Sequence, residues 1–263
     1  KLASFTIPDT VTSVGYITFK DCSALTEVTI GNSVTSFAAE VFRGCTALKR
    51  LVLPNSVSAV PSMFCSGCTS LTYLQIGDGA TTISNYAFDG CTKLRTVSMG
   101  AKLVSIGTSA FSSCNSLQNV TFPSFNAVRV LGTYVFRNCV SLKTISLPNI
   151  TSIGSNCFDG CTSLESVSLG SQLSTLGNNA FAYCASLLSV VIPDQLTTLQ
   201  TNTFYNCYSL TSVSFGVSLQ SIGAGAFLGC SALETVNFYG DAVSELGFNS
   251  FGLCTSLELI TLP

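Results

Sequence analysis

Apolar residues along this chain recur at a fixed period. The stretch Phe42-Arg43-Gly44-Cys45-Thr46-Ala47-Leu48-Lys49-Arg50-Leu51-Val52-Leu53-Pro54 reads as Phe-x-x-Cys-x-x-Leu-x-x-Leu-x-Leu-Pro, and the pattern returns from one end to the other. Cys22, Cys45, Cys68, Cys91, Cys114, Cys139, Cys161, Cys184, Cys207, Cys230 and Cys254 form its ruler, at steps of 22 to 25 residues and mostly 23. Phe stands three residues before each of these Cys, except that Cys65 takes that place before Cys68. Leu stands three residues after every one. Pairs such as Val28 and Ile30, or Val213 and Phe215, then alternate with small polar residues, which is the period of a strand with one buried face. Gly or Pro turns the chain, and a second apolar pair such as Val34 and Phe37, or Leu219 and Ile222, crosses back. The segment ending in Phe-x-x-Cys is too short for a full helix and predicts one helical or 3₁₀ turn.

No single copy could bury its own Phe, Leu and Val, whereas stacked copies can. The pattern therefore predicts a single solenoid over residues 1–263. It is an α/β solenoid dominated by β, with about 11 repeats, short helical or 3₁₀ turns and 12 parallel strands from Phe5–Ile7 to Ile260–Leu262. At about 4.8 Å between strands it would be on the order of 50 Å long. Neither end carries a polar capping segment, so both terminal caps are expected to be missing from this stretch.

Composition narrows the function. Hydrophobic residues make up 47% and charged residues 9%, too apolar for disorder. The longest near-candidate for an apolar span, Leu187–Ile192, has the length of a strand, so no membrane-spanning segment is expected, and Lys1 opens no signal-like segment. The net charge of −2 makes no case for nucleic acid. His is absent, and with it the commonest general base and metal ligand. No cofactor, metal or catalytic residue is predicted. All eleven Lys and Arg lie at or before Lys143 with six acids, a net +5, and the remainder holds seven acids and no base.

Thirteen cysteines cannot all pair internally, and the ladder positions read as buried free thiols acting as small hydrophobes. Cys65-Ser66-Gly67-Cys68 has redox or metal spacing but lacks a second pair and any His, so Cys65 reads as an occupant of the Phe place. Cys157 replaces a small core residue. Seven residues after each ladder Cys comes an outward column, Ser or Thr in seven of eleven copies, which reads as a solvated sheet face. Four residues after each Cys the copies hold Lys49, Arg95 and Lys143, then Glu165, Glu234 and Glu258, a basic edge that turns acidic, with Arg50 beside Lys49. Such an edge would need near contact, because salt at 0.1 M screens charges beyond about 10 Å. Tyr73 falls on the strand face, while Tyr183, Tyr205 and Tyr208 fall near the turns. Asn119 and Asn149 open two glycosylation sequons, the first on the strand face.

Val11-Thr12-Ser13-Val14-Gly15, Ala110-Phe111-Ser112-Ser113-Cys114 and Ser221-Ile222-Gly223-Ala224-Gly225-Ala226-Phe227 resemble the repeats of the BspA-like, Treponema pallidum-type leucine-rich repeat family over essentially the whole chain. The pattern departs at Cys65 and around 123–131, 148–153 and 239–247. The resemblance implies a right-handed curved solenoid at a cell surface, in some members an adhesin, and no shared catalytic residue. The expectation is a non-catalytic, extracellular or cell-surface binding and adhesion module. It would meet a protein or cell-surface ligand through its strand face and charged edge (Lys49, Arg50, Tyr73, Arg95, Lys143, Glu165, Glu234, Glu258). The alternative is a structural subunit that assembles head to tail into an extracellular filament, with its basic part meeting its acidic part.

Overall fold

The computed structural model describes residues 1–123 and 127–261. Residues 124–126, in one of the irregular copies, lie outside that set, as do Leu262 and Pro263 at the expected end of the last strand. The chain divides into two compact units, Lys1–Val128 and Arg129–Pro263. Each is a parallel β-solenoid in which one sequence copy makes one coil.

In the first unit Ser4–Ile7, Glu27–Ile30, Arg50–Val52, Tyr73–Gln75, Thr96–Ser98 and Asn119–Thr121 form one parallel sheet in chain order. The register follows the ruler: Arg50 pairs with Tyr73, Leu51 with Leu74 and Val52 with Gln75. In the second unit Thr144–Leu147 pairs with Ser166–Leu169, and Ser189–Ile192, Ser212–Phe215, Thr235–Phe238 and Leu259–Thr261 form a four-stranded sheet. These are the twelve strands the alternation predicts, among the described residues. The returning apolar pairs also form strands, two residues long, such as Thr82–Ile83 beside Ser105–Ile106 and Thr198–Leu199 beside Ser221–Ile222. Each coil thus holds two strand lines joined by turns.

The turns carry the i to i+3 bonds expected of a 3₁₀ turn: Lys20 N donates to Ile17 O, Cys22 N to Phe19 O and Leu25 N to Cys22 O. None continues as a helix among the described residues. The reason is two left-handed residues per coil. One lies five before the ladder Cys (Ile17, Glu40, Met63, Tyr86, Ser109, Tyr134, Asn156, Asn179, Asn202, Gly225, Asn249) and one directly before it (Asp21, Gly44, Gly67, Gly90, Ser113, Asn138, Gly160, Tyr183, Asn206, Gly229, Leu253). A left-handed residue reverses the winding and stops a right-handed helical run.

The core is the ruler itself. Phe42, Cys45 and Leu48 are fully buried, as are their counterparts through most of both units. Burying each Phe or Leu contributes roughly 1.5–3 kcal/mol. In the second unit Phe136, Phe158, Phe181, Phe204, Phe227 and Phe251 stack with centroids 5.0–5.5 Å apart and planes within 16°. Beside them runs a ladder of thiols. Cys45 Sγ donates to Phe19 O at 3.1 Å, Cys161 Sγ to Phe136 O at 3.1 Å and Cys230 Sγ to Phe204 O at 3.1 Å. Each of these carbonyls also accepts the N–H of the Cys in its own turn, using both lone pairs. Cys65 does stand in the Phe place. The missing ring is supplied by its neighbour Phe64, which meets Phe42 and Phe88 edge-on at 5.3 and 6.3 Å.

After the long strands, acidic and amide side chains tie coil to coil. Asp78 Oδ1 accepts from Ala101 N at 3.0 Å, Asn55 Oδ1 from Asp78 N at 2.9 Å and Asp194 Oδ1 from Val217 N at 3.1 Å. Gly77 sits where a Cβ would run into the carbonyl of Pro54, which is why a residue without a side chain stands there.

Candidate protein-binding face

The long strands bury every second side chain and turn the others outward. Two outward columns result in each unit. The first begins Ser4, Glu27, Arg50, Tyr73, Thr96 and Asn119 in register, and the second includes Val52, Gln75, Ser98 and Thr121. The second unit continues the pattern with Ser146 beside Ser168, and with Val191, Ser214, Asn237 and Thr261 in line. The hydroxyl column is where the alternation predicts it. It is broken in the second unit by Asn237 and by Val191, 68% exposed, and Leu188 in the edge column of the same coil is exposed as well.

In the first unit three residues of the first column form a chemically distinct row. Glu27 pairs with Arg50, and Arg50 with Tyr73. The Arg50 guanidinium carbon lies 4.8 Å from the centroid of the Tyr73 ring, a cation–π contact, and Tyr73 Oη donates to Gln75 Oε1 at 3.1 Å. Both side chains are thereby held on rigid strands. A depression of about 230 Å³ opens beside Arg50, lined by Glu27, Thr29, Asn32, Arg50, Val52 and Pro54 among others. Arg50 therefore sits on the strand face with Tyr73, not in the edge column with Lys49. Glu27 is not among the binding residues expected from the sequence. Its signal was the 23-residue step from Glu27 to Arg50 to Tyr73, which predicts adjacency once the ruler is applied to this column.

The edge column lies one residue before the strands. Lys49 and Arg95 flank Thr72, linked by Thr72 N to Lys49 O and Arg95 N to Thr72 O, and both charged side chains are exposed. In the second unit Lys143 Nζ meets Glu165 Oε1 at 3.3 Å. Both are well exposed, so the pair contributes about 0–1 kcal/mol and largely cancels its own field. Glu234 and Glu258 stand on adjacent rungs, joined through Glu258 N to Glu234 O, and are exposed. Asn119 is exposed on the strand face beside Thr96, whereas Asn149 is half-buried near the turn after Leu147.

The turns carry a second group of charges and aromatics. Glu40 accepts from Tyr16 Oη at 3.0 Å, Lys20 Nζ at 2.9 Å and Arg43 Nη1 at 2.9 Å. These donors, Lys20 first, hold its carboxyl well down, at about 2. Tyr183 meets Tyr205 edge-on at 5.3 Å, and Tyr183 and Tyr208 are about half exposed. Burial works in the opposite sense on the thiols, pushing Cys45 up to about 12 and Cys184 well above the ordinary thiol range. Thiols so raised stay protonated and are poor nucleophiles. Among the described residues no group of three His, Cys, Asp or Glu could hold a metal ion, and no helix is long and apolar enough to cross a membrane.

The scaffold has close counterparts among known proteins. The model of the BspA type leucine rich repeat region, six copies, matches residues 1–101, 59–188 and 174–263. No curated protein matches the chain. Among solved structures, a leucine-rich repeat protein from Bacteroides ovatus is 26% identical with a TM-score of 0.73, over 98% of this chain and 78% of that one. The Treponema pallidum leucine rich repeat protein is 27% identical with a TM-score of 0.58, over 74% and 81%. A leucine rich cell surface protein from Faecalibacterium prausnitzii is 28% identical with a TM-score of 0.51, over 91% and 80%. In its ruler of Phe, Cys and Leu and along its whole length, the chain belongs to the BspA-type leucine-rich repeat family.

Proposed function

We propose that this chain is a non-catalytic adhesion module of a cell surface, binding an extracellular or surface protein through its strand face. The observation that carries this reading is the row Glu27, Arg50, Tyr73. Arg and Tyr are the side chains that most often dominate protein interfaces, and here they are packed against one another on strands beside a concave depression. A group fixed before contact loses little entropy on binding. The charged edge at Lys49 and Arg95 flanks that row and suits an acidic partner surface. The description of the Faecalibacterium prausnitzii relative as a cell surface protein supports the location.

The test is binding of the purified chain to a panel of immobilised extracellular-matrix and cell-surface proteins, beside an Arg50→Ala/Tyr73→Ala variant. The reading expects at least one ligand of the native chain, weakened tenfold or more in the variant. No ligand in the panel, or equal binding by both chains, counts against it.

A further inference from the structure

One rung departs from the rule of the ladder, and its geometry has a chemical consequence. In the ordinary turn Cys45 N donates to Phe42 O at 3.1 Å, which sets the residue three before the ladder Cys beside it in the core. Cys68 N donates to Cys65 O at the same 3.1 Å, so the turn is unchanged when Cys stands in the Phe place. Cys65 must then face the ladder thiol of its own turn. The two Sγ atoms are 2.8 Å apart, both fully buried. That is closer than ladder thiols come to carbonyl oxygens, 3.1–3.4 Å, although sulfur is the larger atom. Residues three apart across such a turn have Cα atoms less than about 7 Å apart, within reach of a disulfide. Phe64 meets Phe42 and Phe88 in place of the absent ring, so the ring contacts to both neighbouring coils do not depend on the Cys65 side chain. Cys65-Ser66-Gly67-Cys68 is the one Cys-x-x-Cys in the sequence.

We propose that Cys65 and Cys68 are joined by a disulfide as the chain folds in the presence of a low-molecular-weight disulfide, and that the other eleven cysteines remain thiols. One thiolate of the pair attacks a sulfur of the small disulfide and releases the first small thiol. The second Cys attacks the protein sulfur of the mixed disulfide and releases the other. Two protein S–H bonds are lost and one S–S bond forms. The small disulfide takes up the two electrons and two protons as two thiols. The exchange belongs to the folding chain, because in the folded coil Phe37, Phe42 and Phe88 pack around Phe64 and both sulfurs are closed to solvent. Once formed, the bond is shielded from reductants in the same way.

The full chain, reduced in denaturant, is refolded with or without oxidised glutathione, and the monomer is then alkylated in denaturant and mapped by peptide mass. With oxidised glutathione eleven of the thirteen cysteines should be labelled, with Cys65 and Cys68 linked until reduced; without it, all thirteen. The variant Phe64→Ala/Cys65→Phe, which restores the ordinary rung, should carry twelve labels in both arms. A chain secreted into a bacterial periplasm and alkylated at lysis gives the same measurement without refolding. Thirteen labels in the oxidised arm, or missing labels spread over other pairs such as Cys157 and Cys161, would overturn the proposal.

Discussion

Arg50 and Tyr73 face one another on neighbouring strands, the guanidinium carbon 4.8 Å from the ring centroid. Both are outward of the core, so the contact adds about 0.5–1 kcal/mol and is not what holds the coils together. Arg50→Ala should move the stability from urea unfolding by less than about 1 kcal/mol. A larger loss would mean that Arg50 belongs to the frame and is not free for recognition.

The frame is a different matter. Phe158 stacks on Phe136 at 5.4 Å and on Phe181 at 5.0 Å, fully buried. Phe158→Ala removes both ring contacts and opens a cavity that the neighbouring coils cannot close, costing about 3–5 kcal/mol. Thermal unfolding followed by circular dichroism should show the melting temperature falling sharply. An unchanged melt would show that the stack does not carry the fold.

The left-handed positions predict changes of the opposite sign. Ile17 has φ 53° and is β-branched and about two-fifths exposed, a costly side chain for that backbone. Asn202, its counterpart on the third rung from the end of the column, has φ 54° with a residue that tolerates it. Ile17→Asn should stabilise the chain by about 1 kcal/mol, and Asn202→Ile should destabilise it by about 1–2 kcal/mol. Urea midpoints of the two variants check both signs.

Glu40 sets part of the response to acid. Its carboxyl sits at about 2 when folded, below the ordinary 4.5, because Lys20, Arg43 and Tyr16 donate to the charged form. A group lowered on folding contributes its stability above its unfolded value and loses it as pH falls through the folded one. The melting temperature of the native chain should therefore exceed that of Glu40→Gln at pH 6, and the gap should narrow as pH falls from about 4.5 towards 2. A gap constant over that range would show that the ion pairs do not survive in solution.

Much of this architecture is legible in the sequence. Phe, Cys and Leu repeat because each faces its own copy in the next coil, so the core writes itself into the chain at every step. The twelve strands and the outward column of Ser and Thr follow from alternation alone. The left-handed pair does not, because φ is imposed by the coil: the same backbone takes Ile17, Glu40, Met63, Tyr86 and Asn202. The compensation of Cys65 by Phe64 depends on two adjacent core places exchanging volume, which a ruler counting one place cannot register. Arg50 reads as edge beside Lys49, but one step along a strand reverses the face. Lys143 and Glu165 share a column as expected, yet they are spent on each other as an ion pair, a contact that depends on rotamers.

Hydroxyl-radical footprinting of the chain, free and bound to a ligand found in the panel, tests most directly the claim that the strand face does the binding. Tyr73 reports on the strand face, while Tyr16 and Tyr86 report on the turns. Bound ligand should reduce oxidation of Tyr73 at least several-fold and leave Tyr16 and Tyr86 unchanged. Protection of Tyr16 and Tyr86 with Tyr73 oxidised as in the free chain would place the interface on the turns and contradict the account.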